Sequence, residues 1–302
     1  MRPTRPSASA RGPPASRSSE RQLMQQRWSR RSMQLSDLGE DGLLRELQAR
    51  KLVHGITNDA ALVSGLVVTQ DALVEGVHFR LDRLSWRDLG WRAAAVNLSD
   101  LAASGAAPEA LVVTLGAPAA TDLADVIELY AGIAEPGVPV VGGDTTSAPQ
   151  LVLSVTALGR SARIPGRAGA QPGDALVVTG PLGGAGAAFR RDGCVRPPLR
   201  LDEGRELAAH AHALMDISDG LGVDCGRLAA ASGCALVIEL ADVPLAEGAE
   251  IGDLGFGEDY ELLAAVAEPG RFPVVGRCAA GAGVTFLRDG QPAELAGWQH
   301  FT

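Results

Sequence analysis

The residue pattern predicts an α+β protein of two domains, and three observations carry that reading. At 302 residues, 46% of them hydrophobic, the chain is long enough to bury two cores. Apolar, β-branched runs alternate with stretches of helical apolar spacing, but without the strict strand-helix-strand rhythm of a doubly wound sheet. A stretch at 159–174, rich in arginine, glycine and proline, then reads as a domain connection. The expected layout is a basic tail at 1–35, a first domain at 36–162 and a second at 163–302.

Taken in order, residues 36–50 (SDLGEDGLLRELQAR) read as a short amphipathic helix. Two extended runs follow at 60–68 and 71–79, broken by Gly65 and polar residues. The stretch 85–106 opens with Ser85 and Asp88 as a capping box and carries Leu89, Ala93, Val96 and Leu101 at helical spacing. On that helix Asn97 and Asp100, three apart, share a face. Strands are expected at 110–115, 138–142 and 150–158, with a helix at 121–134. Beyond the connection, LVVTGPLGGAGAAF (176–189) is a strand feeding a glycine-rich turn. Gly180, Gly183, Gly184 and Gly186 suit either a tight turn or a cradle of backbone N–H groups for an anion. Phe189 stands where a dinucleotide fingerprint needs its third glycine. DISDGL opens a further helix with Ser218 or Asp219 as N-cap, and GFGEDYELL turns through two glycines into Glu258 and Asp259.

Composition excludes several classes of function. The formal charge is −9, yet residues 1–32 hold eight arginines and one glutamate, a +7 tail on a −16 body. So acidic a body, with only twelve aromatics to stack bases, argues against nucleic-acid binding. The tail has no apolar core of a secretory signal. It reads as disordered or as an upstream start with Met33 the natural beginning, a transit peptide being the third reading. No apolar run reaches the length of a membrane span. The four cysteines form no CxxC pair and suit buried packing in a reducing compartment. Lys51 is the only lysine, which excludes a P-loop and a protein-kinase lysine. Any phosphate must be handled by metals, arginines and backbone N–H groups.

Six aspartates carry the chemistry: Asp59 in GITNDAAL, Asp71 in LVVTQDAL, Asp100 in VNLSDLAA, Asp144 in VPVVGGDTT, and Asp216 with Asp219 in MDISDGLG. Each alone caps a helix or closes a turn in the ordinary way. Several of them close an apolar run ahead of small residues, which is how buried strands deliver carboxylates to a crowded edge, and such a gathering calls for a hard cation, Mg²⁺ above all. Carboxylates, a glycine-rich turn, arginines and no catalytic lysine suit metal-assisted phosphoryl transfer. Only His78, in EGVHF, offers a general base; a phosphate acceptor, anionic near neutral pH with a second pKa near ~6, needs none.

The strings GITNDAAL, QDALVEGVHF, GWRAAAVNLSDLAASGAAP, VVGGDTT, DISDGL, GEDYELL and GWQHF resemble, in order and spacing, the thiamine-monophosphate kinases of the aminoimidazole ribonucleotide synthetase superfamily, from about Leu38 to Phe301. The resemblance implies a cytoplasmic homodimer. Its N-terminal α+β domain, with a mixed sheet, pairs strands across the two-fold; its C-terminal domain is α/β; ATP and several Mg²⁺ ions lie between them. By motif position Asp59, Thr69, Gln70, Asp71, Asp100, Asp144, Asp216 and Asp219 match the metal site. Gly143, Asp144, Arg167 and Ser218 match the ATP contacts, and His78, Glu258 and Trp298 face thiamine monophosphate. No residue is assigned as general base. Three departures stand out: Asn58 replaces an acidic residue, Ser147 replaces the arginine after GGDTT, and Phe256 interrupts the paired glycine before Glu258. Other activities of the superfamily fit less well, since selenophosphate synthetases need a cysteine near the start and the hydrogenase-maturation member a terminal one. A non-catalytic nucleotide or thiamine-phosphate binder has only Asn58 and Ser147 in its favour.

Overall fold

The computed structural model describes residues 34–55, 57–295 and Gly297. The arginine-rich tail and Trp298 therefore lie outside the described residues. The chain forms two compact units. The described part of the first, residues 34–52, carries the expected helix as a 3-10 turn, Leu35–Asp37, followed by α1 (Gly39–Ala49), whose last turn is braced by Arg50 Nε on Glu46 at 2.8 Å.

The second unit, Val53–Trp298, begins with the hairpin of β1 (Ala61–Val63) and β2 (Leu66–Val74). Ser64 (φ 51°) and Gly65 (φ 82°) form its two-residue turn, the left-handed pair that matches strand twist. The expected break between the two runs is absent: Thr69 and Gln70 continue β2, because the strand is solvated on one face only. Residues 75–79 form a turn instead of a strand, with Gly76 at φ 78°.

Helix α2 (Trp86–Ala103) starts where expected, with Ser85 Oγ accepting from Asp88 N at 3.0 Å. Then come β3 (Ala107–Ala117), α3 (Leu123–Ala134), β4 (Val140–Ser147) and β5 (Val152–Arg160). The sheet order is β1-β2-β5-β3-β4, antiparallel except for the parallel pair β3 and β4, which α3 bridges. Leu153, Val155 and Ala157 alternate inward along β5 and pack with Leu89, Leu98, Leu129 and Ile133 of the two helices. Helices α2 and α3 cross closely: a Cβ on Gly90 would lie 1.9 Å from the Leu129 carbonyl oxygen, and one on Gly132 2.0 Å from that of Arg87. Strand β4 is an edge, exposed at every position.

The remaining elements are β6 (Ala175–Val178), α4 (Gly184–Phe189), α5 (Leu201–Ala208), β7 (Ala213–Asp216), α6 (Leu221–Ser232), β8 (Ala235–Glu239), β9 (Leu262–Val266), β10 (Val274–Ala279), β11 (Gly283–Arg288) and β12 (Gln291–Ala293). They build a second sheet, ordered β12-β11-β8-β10-β6-β9-β7, with only β8 and β11 parallel. Two mixed sheets with helices laid on them make the protein α+β. A separate apolar cluster ties the end of α2 to this sheet, through Ala102 and Ala103 against Val177, Leu207, Leu214 and Leu262. Helix α2 is thus buried nearly all round, as its alanines allow. No helix of the described residues is long and apolar enough to cross a membrane.

Candidate functional site

Helix α2 distributes its polar side chains to two neighbours. Asn97 Oδ1 accepts from the Asp71 backbone N–H at 3.0 Å while its Nδ2 donates to the Ala93 carbonyl, also at 3.0 Å. Asp100, one turn on, accepts from the Thr69 hydroxyl. Asn97 and Asp100 share a face, as expected, and that face is laid on β2. Ser99 points elsewhere and donates to Asp216 Oδ2 at 2.7 Å, at the end of β7. Asp59, just before β1, completes the set: carboxylate oxygens of Asp59, Asp100 and Asp216 all lie within 4.8 Å of one another.

Such a group resists ionisation. Burial, then the neighbouring charges of Asp216, Asp71 and Asp59, push Asp100 well above the ordinary carboxylate range, against a smaller opposing pull from Thr69. Burial and Asp59 do the same to Asp216. Asp59 is raised less, because Arg167 offsets part of its burial. Arg167 Nε donates to Asp59 Oδ1 at 2.8 Å, and its backbone N–H donates to Asn58 Oδ1 at 3.1 Å. Asn58, the departure from an acidic residue, thus positions the arginine that faces the cluster.

Behind DISDG a second arrangement appears that the sequence reading missed. Helix α6 is capped by Gly220 (φ 102°), not by Ser218 or Asp219. The side chain that closes the turn comes from within the helix: Asp224 Oδ2 accepts from the Asp219 N–H at 2.9 Å. Its other oxygen accepts from Arg227 Nη1 at 2.9 Å, and the same nitrogen lies 2.5 Å from Asp219 Oδ2. Asp224 is fully buried, and burial, opposed by Arg227, pushes it up to about 7. Its pairing with Arg227 at i,i+3 was the available signal, but in sequence it resembles a solvated helix pair.

The glycine-rich turn is resolved by the fold. Gly183 (φ 80°) leads into α4, and its N–H lies 2.8 and 3.0 Å from the two Asp259 oxygens. The anion it cradles is thus the protein's own carboxylate. Burial pushes Asp259 up to about 6, held back by the N–H groups of Gly183, Ala185 and Gly184. The neighbouring Glu258 (φ 62°) and Tyr260 (φ 52°) are both left-handed. They are pinned against DISDG by Glu258 N to Ser218 O at 2.7 Å and Tyr260 N to Ile217 O at 2.9 Å. Glu258 also pairs with Arg92 of α2.

The other expected residues fall as follows. Asp71 stands two positions from Thr69 on β2, close enough to raise Asp100. Gln70 points away from them and donates to Ser154 Oγ at 2.7 Å. Gly143 and Asp144 lie on β4, with Asp144 exposed and opposite Thr114 of β3, outside the three-carboxylate group. Gly143 (φ 151°) has no room for a side chain, since a Cβ would meet the Val113 carbonyl oxygen at 1.8 Å. His78 Nδ1 accepts from the Val74 N–H at 3.0 Å, so its neutral ring carries the proton on Nε2.

Residues 57–161 match the model of the AIR synthase related protein N-terminal domain, and residues 171–285 that of the C-terminal domain. The chain is 35% identical over 290 residues to a thiamine-monophosphate kinase of Halobacterium salinarum, covering 84% of this chain and 99% of the relative. The chain belongs to the thiamine-monophosphate kinase family. The family member of Aquifex aeolicus is 31% identical, over 89% of this chain and all of its own. A crystal structure of the Aquifex aeolicus thiamine monophosphate kinase superposes with a TM-score of 0.77 at 31% identity, over 87% of this chain and 100% of that one. A structure described as AaThiL complexed with AMPPCP and TMP superposes with a TM-score of 0.81 at 31% identity, over 89% and 99%. The family is one of phosphotransferases, and its fold is that of this chain.

Proposed function

We propose that the chain phosphorylates thiamine monophosphate to thiamine diphosphate, with ATP as donor and the γ-phosphoryl group passing directly, in line, to the acceptor's phosphate. The observation that carries this reading is the convergence of Asp59, Asp100 and Asp216 to within 4.8 Å. Three buried carboxylates facing one arginine form an oxygen-donor set with excess negative charge, which fits Mg²⁺. Asp59, Asp100 and Asp216 would hold it, with Asp71, Thr69 and Asp219 completing the sites if several ions bind; Gln70, turned to Ser154, is left out of the set. Mg²⁺ there would neutralise charge on the triphosphate oxygens. Arg167, Ser218 and, on β4, Gly143 and Asp144 are the proposed ATP contacts.

His78, Glu258 and Trp298 are the proposed acceptor contacts. His78 Nδ1 accepts from the Val74 N–H, which fixes the ring, and His78 is proposed to orient a phosphate oxygen by hydrogen bonding. It is not needed as a base, since the acceptor phosphate is largely ionised at neutral pH. The exposed edge strand β4 supports a homodimer formed by strand pairing, a cytoplasmic location belongs to the same reading, and we set the domain limits at 36–162 and 163–302.

The test is turnover of the full chain with ATP, Mg²⁺ and thiamine monophosphate, followed by chromatography of the thiamine esters. Thiamine diphosphate formation is expected; none formed refutes the activity. With ATP made chiral at its γ-phosphorus, direct transfer predicts inversion, and retention would reveal a phosphorylated enzyme intermediate.

A further inference from the structure

Two buried side-chain nitrogens among the described residues lack any partner, Arg83 Nη1 and Arg92 Nε. Both arginines line one wall. Arg83 stacks 4.8 Å from the Phe189 ring, which lies 5.0 Å from that of Phe256, two residues before Glu258, the partner of Arg92. Arg92 is the more deeply held, with 7% of its side chain exposed. Its Nη2 is on Glu258 and its Nη1 is 3.6 Å from the Cys194 thiol. Of its three nitrogens, only Nε has no partner. A buried donor without an acceptor is destabilising, and more so on a charged group. A fold that keeps one on a guanidinium has a use for it once a ligand brings an acceptor.

The position of Arg92 says which ligand. It precedes Ser99 by seven residues, two turns of α2, so the two share a face. Ser99 donates to Asp216, so Arg92 looks into the space that the carboxylates border. Tyr260 marks the same space: burial raises its phenol first, Arg92 opposes, and Asp71, Asp216 and Asp100 add to the rise. Arg167 and Arg227 are already engaged by Asp59, Asp219 and Asp224. A charged guanidinium with a free N–H, apart from the carboxylates and beside Glu258, suits an oxyanion.

We propose that Arg92 reads the phosphate of the acceptor, donating from Nε to a phosphate oxygen while Nη2 stays on Glu258. The inference rests on the function proposed above, and makes Arg92 the residue that separates phosphorylated from unphosphorylated thiamine.

The experiment compares, by calorimetry on the full chain, the binding of thiamine monophosphate and of thiamine. Arg92→Gln is expected to weaken thiamine monophosphate about ten- to hundredfold, the worth of one hydrogen bond to a charged group, while thiamine changes less than about twofold. Arg92→Lys, which keeps a charge without the Nε–H, is expected to lose about threefold in the same ratio. If Arg92→Gln does not fold, Arg92→Lys decides alone. Equal losses for both ligands would mean that Arg92 merely holds Glu258, and no loss for either would mean that it does not touch the phosphate; either overturns the inference while wild-type turnover stands. Wild-type protein that binds neither ligand overturns the proposed function, and this inference with it.

Discussion

The proposed metal end of the site and the proposed acceptor end are built on opposite principles. At the first, like charges are gathered, with Asp100 on α2, Asp216 ending β7 and Asp59 just before β1; the Thr69 and Ser99 hydroxyls hold the first two and Arg167 the third. At the second, opposite charges are paired, Arg92 of α2 with Glu258 and Arg83 with Asp192, beside two left-handed residues, Glu258 and Tyr260. The first end stores electrostatic repulsion that a cation relieves. The second is neutral before ligand arrives and depends on geometry. Loss of charge should therefore damage the first end, and loss of shape the second.

The sharpest way to break that contrast is Asp100→Asn. It should cost more than the ten- to hundredfold typical of residues that only support a metal ligand. It should also raise the melting temperature of the metal-free protein at neutral pH, because a repelling charge is gone. An enzyme that loses activity and stability together would show that the cluster is not strained without metal.

A smaller effect is expected from Asp224→Asn, about ten- to hundredfold in kcat/KM, since Asp224 acts through Asp219 and Arg227. This variant also tests the pH dependence. A carboxyl raised from 3.8 to about 7 in the folded state holds a proton that the unfolded chain has already lost. Its contribution to stability is therefore greatest at low pH and declines as pH rises between those values. The metal-free wild type should lose melting temperature from pH 5 to 8 more steeply than Asp224→Asn; parallel curves would remove Asp224 from the account.

The mildest expectation lies at the acceptor end. His78→Asn should raise KM for thiamine monophosphate by about tenfold, the worth of a single hydrogen bond, with kcat nearly unchanged. A hundredfold fall in kcat at constant KM would restore a general base and erase the difference between the two ends.

The same contrast explains what the sequence made legible. Aspartates ending apolar runs stand out, so Asp59, Asp100 and Asp216 could be selected from spacing, as could the face shared by Asn97 and Asp100. The 3.6-residue period of α2 and the Ser85 cap are local, and they appear where expected. What stayed hidden depends on contacts between distant segments. The glycine-rich turn allowed two readings until Asp259, 76 positions away, was found to fill it. Asp224 and Arg92 looked like ordinary helix charges because only the fold buries them. Gly65 marks a break in the extended runs, and the hairpin turn of Ser64 and Gly65 falls there, but the polar residues Thr69 and Gln70 disguise the continuity of β2.

The glycine contacts of α2 have a consequence of their own. At Gly90 the helix lies backbone to backbone against α3, and at Ala102 its carbonyl oxygen would stand 2.2 Å from any Cβ on Gly204 of α5. With no side chain to yield at either crossing, α2 works as a spacer of fixed thickness between the two sheets. Asp100 rides on that spacer, whereas Asp216 belongs to the far sheet, so the width of the carboxylate trap is set by two glycines that never meet a ligand. If the trap holds the proposed cation, its preference for cation size would depend on those glycines as much as on the aspartates themselves.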